Sequence, residues 1–138
     1  MIDATLYVSR ATLEIGAGDT VLDEILSAAR ARNRTLDVTG ALIFTQNHFA
    51  QLLEGPAAAI DQLMSSIERD PRHRDVKIVR TERNTVRRFA GWHMAYDGSS
   101  VFVARHVRVL AASFSKPSEA HVSRLVDLMV SLSQSQAR

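Results

Sequence analysis

Cysteine is absent from all 138 residues. That excludes disulfides, thiolate nucleophiles, Cys-ligated zinc and iron–sulfur clusters. It fits a reducing compartment. Long apolar runs are missing too: no stretch approaches the ~20 residues that a membrane-crossing helix needs. The N-terminus lacks the basic-then-apolar pattern of a signal peptide. The expected location is therefore the cytoplasm. Charge of one sign is scarce, because 17 Lys+Arg stand against 15 Asp+Glu for a net +2. Nucleic-acid binding driven by phosphates needs clustered charge, so the balance does not support direct DNA binding. What remains is an apolar fraction of 46%, ordinary for a soluble globular domain. The length suits one domain with a short extension.

Residues 2–9 alternate Ile2, Ala4, Leu6, Val8 against Asp3, Thr5, Tyr7, Ser9, the period of a half-buried strand. Thr20 and Asp23 form a capping-box pattern. Val21, Leu22, Ile25, Leu26 and Ala29 then share one helical face, which predicts a helix over residues 20–33 with Asn33 at its C-terminal end. Residues 38–44 and 48–53 read as a hairpin turned at Gln46-Asn47. Pro56 suits the first turn of a helix. Ile60, Leu63, Met64 and Ile67 have the i, i+3, i+4, i+7 spacing of an amphipathic helix, and Asp70-Pro71 stops it. Residues 76–81 form the next strand, and residues 92–96 a last short one.

The first six elements follow the order of a ferredoxin-like βαββαβ sandwich. The expected fold is α+β, with an extra fifth strand. Such a sheet carries two helices on one face and leaves the other open. Residues 101–112 and a helix after Pro117, with Val122, Leu125, Val126, Met129 and Leu132 on one face, are the expected cover.

Most familiar chemistries lack their residues. There is no Gly-x-Ser-x-Gly elbow, and His48, His73, His93, His106 and His121 have no metal-ligand spacing. Gly16-x-Gly18 reads as a turn. Glu54 reads as a turn residue or a helix N-terminal anion. The basic series Arg72, His73, Arg74, Lys77, Arg80, Arg83, Arg87 and Arg88 reads as a solvated face, with contact to an anionic ligand tail as the functional alternative. Gln51, flanked on its own face by Phe49 and Leu53, is unusual. A buried glutamine needs partners, and Tyr7 on the neighbouring strand of such a sheet is the candidate. Spacing alone leaves open a satisfied core pair with no ligand.

Several separated pieces together resemble the BLUF family of blue-light sensors that use FAD. They are Leu6-Tyr7-Val8-Ser9, Asn33 with Val38-Thr39-Gly40-Ala41-Leu42, Phe49-Ala50-Gln51-Leu52-Leu53-Glu54-Gly55, Asp70-Pro71-Arg72-His73, and Arg88-Phe89-x-x-Trp92-x-Met94. The resemblance spans residues 2–98 and implies a flavin-binding domain over 1–98 with a helical output or oligomerisation extension over 99–138. It implies FAD, with FMN or riboflavin fitting the same slot. Tyr7 is then the electron and proton donor to the excited flavin, and Gln51 the switching amide. Asn33 anchors the polar edge of the ring, Ile25 and Ile67 sandwich it, and Arg72 and His73 lie near the ring and its chain. Trp92 and Met94 are the relay pair.

Three positions depart from the family pattern: Ala29 where many members have Ser, Arg32 where some have His, and Asp37 where Gly is common. The expectation is a non-enzymatic photoreceptor acting through a homo-oligomer or a downstream protein partner, because this length leaves no room for a fused catalytic domain. The absence of cysteine also excludes a cysteinyl–flavin photocycle. The alternative is an acylphosphatase-type enzyme of small anionic substrates, which needs an anion-cradling loop near Ser9-Arg10-Ala11-Thr12.

Overall fold

The computed structural model describes residues 1–12, 19–45, 47–92, 95–97, 101–112 and 118–134. Gly16, Gly18, Gln46, His93, Met94 and Pro117 lie outside the described residues, as do the side chains of 19–22, 95–97, 101–104, 106, 112 and 132–134. The elements are β1 (Ile2–Ala11), α1 (Asp19–Leu36), β2 (Thr39–Phe44), β3 (His48–Gly55), α2 (Ala57–Arg69), β4 (His73–Asn84), β5 (Ala95–Asp97), α3 (Val101–Ala112) and α4 (Glu119–Gln134).

The strands form one sheet in the order β4-β1-β3-β2-β5. Each neighbouring pair among the first four is antiparallel, the ferredoxin-like arrangement. The three residues of β5 run parallel to β2, with Ala41 opposite Ala95.

Strand alternation separates two cores. Leu6 and Val8 of β1, Ala41 and Ile43 of β2, and Ala50 and Leu52 of β3 point to one face, where Val107 and Leu110 of α3 and Val122, Leu125, Val126 and Met129 of α4 cover them. Tyr7, Leu42, Phe44, Phe49 and Leu53 point to the other, against Leu26 and Ala29 of α1 and Ile60, Leu63, Met64 and Ile67 of α2. The C-terminal helices thus close the face that a bare ferredoxin-like sheet leaves open. Among the described residues, no helix is long and apolar enough to cross a membrane.

Several boundaries differ from the sequence expectation, and β5 is Ala95–Asp97 rather than residues 92–96. Helix α1 continues to Leu36, so Asn33 sits inside it, one turn before its end. The left-handed residue is Asp37, at φ 57°. This gives the Asp37 departure a physical meaning, since glycine adopts that conformation without a Cβ penalty. Strand β4 is twelve residues long because β1 offers an edge from Ile2 to Ala11, with irregularities near Leu6/Tyr7 and Val8/Arg10. Pro56 is the N-cap of α2, with ψ 141°, and its first helical residue is Ala57.

Trp92 precedes β5. Its N–H donates to the Phe89 carbonyl at 2.9 Å, and its own carbonyl accepts from the Gly40 N–H at 3.0 Å. Gly40 has no alternative at that position, because a Cβ there would lie 2.0 Å from the Leu52 carbonyl oxygen.

Candidate functional site

Tyr7, Gln51 and Leu42 form a row of direct cross-strand partners on β1, β3 and β2. All three face the α1/α2 side and form the floor of a slot. One wall is the α1 face carrying Ile25, Ala28, Ala29 and Arg32, whose spacing repeats the helical turn. The opposite wall is Ile67 of α2 with Asp70, Arg72 and His73 of the connection into β4.

The Tyr7 hydroxyl donates to Gln51 Oε1. Tyr7 has no exposed surface and Gln51 very little. Burial pushes the Tyr7 phenol well above its ordinary value, against the pull of the Arg32 cation and with a small push from Asp70. The phenol is therefore protonated at neutral pH and must have an acceptor.

His73 closes the end of the slot. Its Nδ1 lies 2.7 Å from Ser9 Oγ. Its ring centroid is 4.6 Å from that of Phe49 and 5.9 Å from that of Tyr7. Burial pushes its pKa down to about 4; Asp70 opposes this, while Arg72 and Arg32 add to it. The imidazole is thus neutral. Arg72 forks onto Asp70, with Nε at 3.0 Å from Oδ1 and Nη2 at 2.6 Å from Oδ2. Those hydrogen bonds hold the Asp70 carboxyl below its ordinary range.

The structure therefore brings Tyr7, Ile25, Gln51, Ile67, Arg72 and His73 to one slot. Asn33, next to Arg32 on α1, is fully buried and is not among the side chains that line the slot. Trp92 packs into the core on the opposite face of the sheet, with α3 and α4. Met94 lies outside the described residues.

Arg32 was missed as a site residue. Its Nε is buried and makes no hydrogen bond among the described residues. The available signal was its spacing of seven from Ile25, two turns along the same face. Among the described residues, no group of His, Cys, Asp or Glu is placed to hold a metal.

Two sequence readings are corrected. Glu54 is neither a turn residue nor a helix cap; it lies inside β3 with no exposed surface. The basic series is largely paired with carboxylates rather than simply solvated. Arg72 holds Asp70, Arg80 holds Glu82 and Glu119, Arg83 holds Asp3, Arg87 holds Asp37 and Arg88 holds Glu82. The acylphosphatase-type alternative loses its loop, because Ser9, Arg10 and Ala11 are strand residues paired to β3 and β4.

A slot with apolar walls, a buried amide–phenol floor and an unsatisfied arginine nitrogen fits a flat heteroaromatic ring with a polar edge. That class of protein holds its cofactor between two helices and one sheet face. Residues 2–95 match the family described as BLUF, sensors of blue-light using FAD, and the chain belongs to that family. BLUF domains bind flavin, and the domain itself is a sensor rather than a catalyst.

The chain is 40% identical over 68 residues to the blue light- and temperature-regulated antirepressor BluF of Escherichia coli K12, covering 49% of this chain and 17% of that protein. It is 41% identical over 81 residues to the photoactivated adenylate cyclase subunit beta of Euglena longa, covering 56% of this chain and 9% of that protein. It therefore spans less than a fifth of either curated relative. Among solved structures, the dark state of BlrB, a BLUF protein, superposes with a TM-score of 0.71 at 30% identity, covering 91% of this chain and 96% of that one. The ground state of BlsA shares the fold, with a TM-score of 0.77 at 21% identity over 94% of this chain and 88% of that one.

Proposed function

We propose that this BLUF chain senses blue light by rearranging the hydrogen bonds of Tyr7 and Gln51 at the floor of the slot. The observation that carries this is the buried Tyr7-to-Gln51 hydrogen bond between direct strand partners. A bound flavin supplies absorption of blue light and a ring that accepts an electron.

The chain's residues do the rest. Tyr7 gives up electron and proton together, because its buried phenol does not ionise alone. Gln51 has a donor end and an acceptor end, so any rearrangement of the amide changes what the slot meets. Ile25 and Ile67 would exclude water from a bound ring. Arg32 would offer a donor to the ring's polar edge, where Asn33 is the expected amide anchor. Neutral His73 and the Arg72–Asp70 fork would close the end of the slot beside the ring and its chain. FAD is the expected occupant, and the same slot would take FMN or riboflavin.

The change then passes through residues 92–94 to β5 and the C-terminal helices. Residues 1–98 act as the sensor and 99–138 as the output and oligomerisation segment. The output is contact with a second copy or a downstream protein in the cytoplasm. It is not a reaction catalysed by this chain. One BLUF relative is an antirepressor and another a subunit of a photoactivated adenylate cyclase, so the family serves unlike effectors.

The test is one absorption spectrum in the dark and one after blue light. The expected result is a yellow protein with a small, reversible red shift. A colourless protein that takes up no added FAD overturns the reading. A Gln51→Leu protein with an unchanged shift removes Gln51 as the switch.

A further inference from the structure

Glu54 is a fully buried carboxylate three residues along β3 from Gln51. Burying such a group is costly unless its oxygens are met by donors. Oε1 accepts from the Phe89 N–H at 2.6 Å and from Thr39 Oγ1 at 3.0 Å. Oε2 accepts from the Arg88 N–H at 2.9 Å. Two consecutive backbone N–H groups of the β4–β5 connection are thereby fastened to the central strand.

Arg87 reinforces the attachment. Its Nη1 reaches Thr39 Oγ1 at 3.0 Å and the Glu54 carbonyl at 3.3 Å, and its Nη2 reaches the Asp37 carbonyl at 2.9 Å. Phe89 is then buried in the core under α3 and α4. Its carbonyl holds the Trp92 N–H, and the Trp92 carbonyl holds Gly40 of β2. Four links join the strand of the switch to the tryptophan: Glu54 to Phe89, Phe89 to Trp92, Trp92 to Gly40, and Gly40 back to Leu53 in the β2–β3 ladder.

We propose that Glu54 is a positioning residue for the light response: its carboxylate fixes the Arg88–Phe89 backbone and so sets where Trp92 lies on the α3/α4 face of the sheet. The carboxylate is specific to the task. Three donors converge on it, two from the β4–β5 connection and one from β2, and only a group with two accepting oxygens serves them all. A glutamine keeps one oxygen and turns an NH2 donor towards a backbone N–H. The attachment also fixes the stationary end of the relay: residues up to Phe89 stay with β3, and displacement begins at Trp92. The light-dependent half of this inference rests on the flavin reading; the placement of Trp92 does not.

Trp92 is the chain's sole tryptophan, so its fluorescence reports this placement without labelling. The experiment compares the full chain with Glu54→Gln in two readouts: the flavin red shift, and Trp92 emission in the dark and after blue light. The expected result is a red shift of native size, a dark Trp92 emission moved to longer wavelength, and loss of the light-induced emission change. A merely structural Glu54 would lower the unfolding midpoint while leaving both Trp92 readings native, and that outcome overturns the proposal.

If Glu54→Gln does not fold, Glu54→Asp keeps two accepting oxygens but draws them back by one methylene from the Arg88 and Phe89 N–H groups. A displaced Trp92 emission in that variant supports the proposal, and native emission in dark and light overturns it. A native chain with no red shift defeats the flavin reading alone. The dark emission then still decides whether Glu54 places Trp92.

Discussion

Tyr7 and Gln51 are direct partners across the β1–β3 ladder, and the hydroxyl of one donates to the amide oxygen of the other in the buried centre of the sheet. The pair is therefore positioned by the backbone register before any ligand binds. A slip of one residue would send either side chain to the wrong face.

Replacing Gln51 by Leu strands the Tyr7 hydroxyl without that acceptor. A buried unsatisfied hydroxyl costs about 1–3 kcal/mol. The variant is expected to retain flavin, lose the normal red shift, and lose that much unfolding free energy in urea. Absorption spectra and urea titration measure the two effects separately.

Tyr7→Phe removes the donor to Oε1 and should also lose the photoresponse. The double variant Tyr7→Phe/Gln51→Leu removes both polar ends at once. Its destabilisation should be smaller than the sum of the two single variants, with a coupling of about 0.5–3 kcal/mol for residues in contact. Additive losses in a double-mutant cycle would show that the hydrogen bond contributes no coupling.

His73 gives a pH dependence of defined sign. Its folded pKa is pushed down to about 4 from 6.5, chiefly by burial. Between those values the unfolded chain holds the extra proton, so stability is full above about pH 6.5 and falls as pH drops towards 4. The loss is roughly 3 kcal/mol. Urea unfolding of the native chain and of His73→Gln at several pH values measures it. The variant should show a flatter slope in that window, whereas equal slopes would assign the dependence to other groups.

Leu125 on α4 is fully buried against the sheet face opposite the slot. Leu125→Ala should cost about 2–5 kcal/mol. The red shift should survive in the folded fraction, because the residue does not touch the slot. Thermal unfolding and light–dark spectra of the same sample check both.

The fold was legible wherever one periodicity ruled. The spacing of Ile60, Leu63, Met64 and Ile67 gave α2, and the alternation around Leu6 and Val8 gave β1. The helical cover followed from an apolar sheet face that had to be buried. Boundaries set by tertiary partners were not legible. Strand β4 runs the full length of the β1 edge beside it, and α1 ends where Asp37 turns left-handed.

The site was legible in its residue types but not in its full membership. Arg32 carries no apolar signal, so only its helical phase with Ile25 marks it. Glu54 was misread because its donors are backbone N–H groups at Arg88 and Phe89, more than thirty residues away. No local pattern records them.

Strand β3 carries both halves of the molecule in alternate residues. Phe49, Gln51 and Leu53 belong to the slot side, and Ala50, Leu52 and Glu54 to the side that the C-terminal helices cover. The two faces therefore share a backbone but no side chain. Substitutions can retune either side independently, whereas a single inserted or deleted residue within β3 would exchange them and abolish both.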